Sequence, residues 1–107
     1  MPQTTKSRRE ALEGFVAANP NDAFARYGLA LECAKLGDDA AATEHFRRLL
    51  SAHPEYVAGY FQFGQLLARL GQLVEARQTL SAGIATASKT GDAHARDEMQ
   101  AALAALE

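Results

Sequence analysis

The 107 residues are 48% hydrophobic and 22% charged, with a formal net charge of −2 at pH 7. That balance belongs to a globular chain and excludes the strong positive field that nucleic acid or an anionic membrane surface would require. The one cysteine, Cys33, rules out an intrachain disulfide framework and fits a reducing cytoplasm, which is the expected location. The basic residues near the N-terminus are not followed by an apolar stretch, so no secretory signal is expected. Nor does any apolar run approach the roughly 20 residues that cross a bilayer.

Valine, isoleucine and threonine are scattered without alternation, so strands are not expected, whereas helical patterns follow one another along the whole chain. "TTKSRREALEGFVAAN" puts Leu12, Phe15 and Val16 on one face and stops before Pro20, predicting a first helix over 5–19. "NDAFARYGLALECAKLGD" opens with Asn21 and Asp22 as caps and closes at Gly37, which suits a left-handed terminal position. "DAAATEHFRRLLSAHP" carries Phe46, Leu49 and Leu50 to Pro54, with Asp38 and Asp39 as capping residues. "EYVAGYFQFGQLLARLGQ" repeats the second pattern and closes at Gly71; "LVEARQTLSAGIATASKTG" and "DAHARDEMQAALAALE" complete six helices, or three antiparallel hairpins.

Pro20 and Pro54 stand 34 residues apart, as do Leu36 and Leu70, Gly37 and Gly71, Ala42 and Ala76, and Phe46 and Leu80. A register kept through two helices and two turns marks a structural repeat. On these residues the chain resembles the tetratricopeptide repeat, a 34-residue helix–turn–helix unit. Residues 23–56 match one repeat through Leu29, Ala30, Gly37, Ala42, Phe46 and Pro54. Residues 57–90 match a second through Tyr60, Phe63, Gly64, Gly71, Ala76, Leu80 and Gly83. The first helix corresponds to the second half of a preceding repeat.

The resemblance implies an all-α fold, a right-handed superhelical stack of helix hairpins forming an α-solenoid in one domain over 1–107. Small residues mark the close contact inside each hairpin, Ala30 against Ala42 and Gly64 against Ala76, and the prolines end a helix at the same point of each cycle. Four residues depart from the family pattern: Arg26 replaces a large aromatic, Cys33 a tyrosine, Leu49 a small residue, and Ser88 the terminal proline. Leu49 is expected to face the following repeat. The missing proline predicts a longer fifth helix and a less fixed turn near "SKTGD". Over 92–106, Asp97 and Glu98 break the motif, and Ala95, Met99, Ala102, Leu103 and Leu106 form the stripe of a capping helix.

No constellation points to catalysis, so an enzyme is not expected; nor is a metal or a cofactor. His45, His53 and His94 lack the spacing of a helical zinc pair and read as surface or partly packed residues. Cys33 sits beside Leu29 and Leu36 as a small buried hydrophobe. Glycines stand singly at turns and packing points rather than in a phosphate loop, and Lys6, Arg8 and Arg9 read as a solvated helix face.

The resemblance implies function through a concave groove lined by the first helix of each repeat. Carried over position by position, the groove residues are Phe24, Tyr27, Gly28, Leu31, Ala34 and Lys35. The second repeat gives Ala58, Phe61, Gln62, Gln65, Ala68 and Arg69, and the sixth helix adds Arg96 and Met99. Family members that clamp a C-terminal carboxylate use lysine and asparagines where this chain has Tyr27, Leu31 and Gln62, so that clamp is missing. An aromatic and aliphatic groove instead suits an apolar helical or extended segment of another protein, with Lys35 and Arg69 adding an acidic preference. Two alternatives accompany this reading. Phe24 and Tyr27 could pack against the N-terminal helix or their own neighbours, or the chain could form a homodimer through the same groove or by exchange of the capping helix.

Overall fold

The computed structural model describes residues 6–106, and every regular element within them is a helix. The elements are α1 (Arg8–Ala18), α2 (Ala23–Lys35), α3 (Asp39–Ala52), α4 (Val57–Arg69), α5 (Leu73–Thr90) and α6 (Ala93–Ala104). They divide into two compact units between Ala52 and His53, with α1 to α3 in the first and α4 to α6 in the second.

Local chemistry sets the helix ends. Ser7 Oγ accepts from the Glu10 amide at 3.1 Å, which starts α1 at Arg8; Thr5, the expected first residue, lies outside the described residues. Asp22 Oδ1 accepts from Ala25 N at 2.9 Å, Asp38 Oδ1 from Ala41 N at 3.2 Å, and Asp92 Oδ1 from Ala95 N at 3.1 Å. Of the expected pairs, Asp22 and Asp38 are therefore the capping members. Gly37 and Gly71 adopt φ of 83° and 78°, where a side chain would be strained. Beyond them the Asp38 amide donates to the Cys33 carbonyl, and the Gln72 amide to the Leu67 carbonyl, both at 2.9 Å, which satisfies carbonyls that the helix end leaves open.

With serine at position 88, α5 runs for 18 residues against 14 for α3, as expected. The turn after it is not loose, however. Gly91 takes φ of 79°, the Asp92 amide donates to the Ala87 carbonyl at 2.8 Å, and the Asp92 side chain caps α6.

In the first unit α2 packs against both α1 and α3, burying Leu29, Ala30, Cys33, Ala42, Phe46 and Leu49. From α1 only Val16 is buried, while Phe15, expected on the same face, remains half-exposed. Ion pairs cross this thin contact: Arg9 reaches Asp38 at 2.9 Å and Arg8 reaches the buried Glu32 at 3.4 Å, while Arg9 also pairs with Glu13 within α1 at 3.3 Å. Arg8 and Arg9 thus join α1 to its neighbours instead of forming a purely solvated face.

In the second unit α5 lies against both α4 and α6. Leu80, Ala87 and Met99 are buried together, and the α6 residues Ala95, Ala102, Leu103 and Leu106 pack onto them, as the capping stripe predicts. The side chain that enters the space left by Gly64 is Leu80. A methyl group added at Gly64 would lie 2.6 Å from Leu80 Cδ2 and 2.7 Å from Cγ. One added at Gly83 would collide with Met99 Sδ and lie 2.6 Å from Tyr60 Cβ. The Tyr60 hydroxyl also donates to the Pro54 carbonyl at 2.6 Å, tying the turn to the body of α4.

Replacing Gly64 with leucine is expected to cost about 1–3 kcal/mol through overpacking. Gly83→Ala should cost more than Gly64→Ala, because Tyr60 Cβ is held by the backbone whereas Leu80 Cγ and its methyls can shift by rotation about the Cα–Cβ bond. Urea denaturation of the three variants measures both quantities, and an unchanged midpoint for Gly64→Leu would refute the packing assignment.

Candidate functional site

The inner faces of α2 and α4 are taken up by their units' cores, through Leu29, Ala30 and Cys33 in one and Phe63, Leu66 and Leu67 in the other. Helical periodicity then turns another line of residues outward from each. On α2 this line holds Phe24, Tyr27, Leu31 and Lys35. Phe24 is 75% exposed and Lys35 is exposed, while Tyr27 and Leu31 are half-buried. Gly28 is half-buried, and a methyl group there would touch Leu12 of α1 at 3.7 Å. The N-terminal helix therefore meets α2 at Gly28 and leaves the Phe24 ring largely in solvent. On α4 Gln65 and Arg69 are exposed, and Phe61 and Gln62 are half-buried.

Phe61 packs against the Leu80, Ala87 and Met99 cluster, so its ring contributes to the core as well as to the surface. Met99 is fully buried and cannot form part of a groove wall, because the space beside Gly83 draws its side chain inward. Arg96 is half-buried and pairs with its neighbour Asp97 at 3.1 Å.

The other candidate groups show no reactive arrangement. Cys33 is fully buried, and burial pushes its thiol pKa up, away from the nucleophilic thiolate. His94 lies 3.1 Å from Glu98 one helical turn on, and His53 lies 3.8 Å from Glu55. Among the described residues no group of three or more His, Cys, Asp or Glu side chains could hold a metal ion, and no helix is long and apolar enough to cross a membrane. Arg26, in place of the family's aromatic residue, extends to the Pro20 carbonyl at 3.4 Å and to His45 Nδ1 at 3.1 Å. This meeting of α2 with α3 was not visible in the sequence, where position 26 registers only as a departure from the repeat.

Two hairpins with matching glycine turns, and small residues at the helix contacts, are the structural form of the 34-residue repeat, and the family model described as Tetratricopeptide repeat matches residues 34–106. The chain belongs to the tetratricopeptide repeat family. It is 36% identical over 98 residues to the TPR repeat-containing protein PA0015 of Pseudomonas aeruginosa, covering 92% of this chain and 93% of that protein. The solution structure of a tetratricopeptide repeat domain protein from Salinibacter ruber is 34% identical, with a TM-score of 0.79 over 82% of this chain and 89% of that one. The TPR2B domain of yeast Sti1, solved as a complex with pHsp70, shares the fold with a TM-score of 0.86 at 17% identity, covering 92% of this chain and 78% of that one. These likenesses place the chain among tetratricopeptide repeat proteins.

The two exposed-strip phenylalanines should respond differently to truncation. Phe24→Ser is expected to change stability by less than about 0.5 kcal/mol, since little apolar surface is lost from the core. Phe61→Ser should cost about 1–2 kcal/mol, since part of its ring is buried. Chemical denaturation of both variants beside the parent checks this; equal costs would contradict the placement of Phe61.

Proposed function

We propose that this tetratricopeptide protein is an adaptor that binds an apolar helical or extended segment of another protein along the outward strips of its repeat helices. The strip residues are Phe24, Tyr27, Leu31 and Lys35 on α2, and Phe61, Gln62, Gln65 and Arg69 on α4. The observation that carries the reading is Phe24: at 75% exposure it is the most exposed of the large hydrophobic side chains among the described residues. Aromatic rings anchor protein interfaces because they bury a large area while ordering few torsions. Leu31 extends the apolar line, and the two glutamines can pair with backbone amides of an extended ligand. Lys35 and Arg69, each in the last turn of its helix, favour an acidic residue in the ligand. The Sti1 domain, bound to pHsp70, illustrates the use of this fold for binding.

Self-association is the second reading. Leu70, Leu73 and Val74 form an exposed apolar edge around the turn between α4 and α5, and a second copy could cover it. Light scattering over a wide concentration range separates the readings. A monomer whose peptides, selected from a random display library, bind at least about tenfold more weakly to Phe24→Ser supports the adaptor. A dimer dispersed by Leu73→Ser and Val74→Ser, with no peptide selected, would transfer the function to self-assembly.

A further inference from the structure

Arg26 differs from the ion-paired arginines of the same unit. Arg8, Arg9 and Arg48 each reach a carboxylate, whereas the half-buried Arg26 reaches only the Pro20 carbonyl and His45 Nδ1. Burying a charge without a counter-charge is costly, and two neutral acceptors offset only part of the lost hydration. Of its five N–H donors the guanidinium spends two.

Beside it lies a recess of about 350 Å³ that also touches Val16, Pro20, Leu29, His45 and Arg48. Its lining combines the apolar Val16, Ala17, Pro20 and Leu29 with the nitrogen-bearing side chains of Arg26, His45 and Arg48. Glu13 also borders the recess but is engaged by Arg9 from the same helix, and Arg48 is engaged by Glu44. Among the lining side chains Arg26 and Arg48 are positive and Glu13 is negative, an excess of one positive charge. An arginine can only donate, so His45 accepts at Nδ1 and carries its proton at Nε2, a second donor. The field is felt at His45: burial, then Arg26 and Arg48, hold its pKa below the ordinary value, against the weaker opposition of Glu44 and Glu13.

We propose that this recess between α1, α2 and α3 binds a carboxylate, with Arg26 as the principal donor and His45 beside it. One uncompensated positive charge matches a monoanion better than a phosphate dianion, and the two oxygens of a carboxylate fit the planar guanidinium fork. The volume admits a few apolar carbons behind the charge. The carboxylate comes either from a small free acid or from the acidic side chain or terminus of a peptide. The recess shares no residue with the Phe24 strip, so it stands whether or not that strip binds a partner.

Titration of isotopically labelled protein tests this by NMR, following the Arg26 Nε–H resonance and the His45 ring pKa, at constant ionic strength set with chloride. Butyrate represents the free acid, and an acidic-tailed peptide with a free or amidated C-terminus represents the chain terminus; a third version carries an internal glutamate. The expected result is a saturable shift at Arg26 and a rise of the His45 pKa, because the bound anion stabilises the imidazolium. Arg26→Gln should weaken binding about tenfold or more, the equivalent of one charge-assisted hydrogen bond, while Arg26→Lys, which keeps the charge, should weaken it less. Saturation by butyrate assigns the free acid; saturation by one peptide form alone assigns the terminus or the side chain. Unsaturable shifts with every probe, an equal response in folded Arg26→Gln, or tighter binding of inorganic phosphate would each overturn the proposal.

Discussion

The rest of the second unit depends on how closely α5 approaches its two neighbours. Leu80 enters the space that Gly64 leaves on α4, and Gly83 lets the backbone of α5 come against Tyr60 on one side and Met99 on the other. Each fully buried leucine or methionine contributes about 1.5–3 kcal/mol, and that gain is available only while the facing position stays small. One helix therefore holds two partners through notches on both sides. The same register in the first unit brings Ala30, Ala42 and Phe46 to full burial between α2 and α3.

That inward commitment determines what remains for function. Once Leu29, Ala30 and Cys33 face the core, helical geometry sends Phe24 outward, with its ring exposed beyond the contact between Gly28 and Leu12. On α4 the residue 34 after Phe24 is Ala58, and Phe61, 34 after Tyr27, leans onto the cluster of Leu80, Ala87 and Met99, so the α4 strip carries no counterpart of the exposed ring.

The architecture was legible because it is periodic: a 34-residue spacing of prolines, glycines and small residues is visible in any one copy once the other is known. The α6 stripe was legible for a similar reason, since a single apolar face at helical spacing marks the side that packs inward. What escaped were contacts fixed by side-chain reach. Arg8 and Glu32 are far apart in sequence, and nothing in either local pattern announces that they meet. Met99 fits a surface line and a core line equally well by spacing, and the cavity beside Gly83 decides between them. That Leu80 fills the space left by Gly64 depends likewise on the reach of its side chain.

The helices at the two ends of the chain are attached by different forces. For α1 the contact is thin in apolar area and rich in charge, whereas α6 is held by a continuous hydrocarbon face. Dissolved salt screens the first kind of contact and leaves the second intact, while cooling weakens hydrophobic attraction and spares charge pairs. Ionic strength and temperature thus act on opposite termini, and a cell that changed one of them would loosen the protein from one end only.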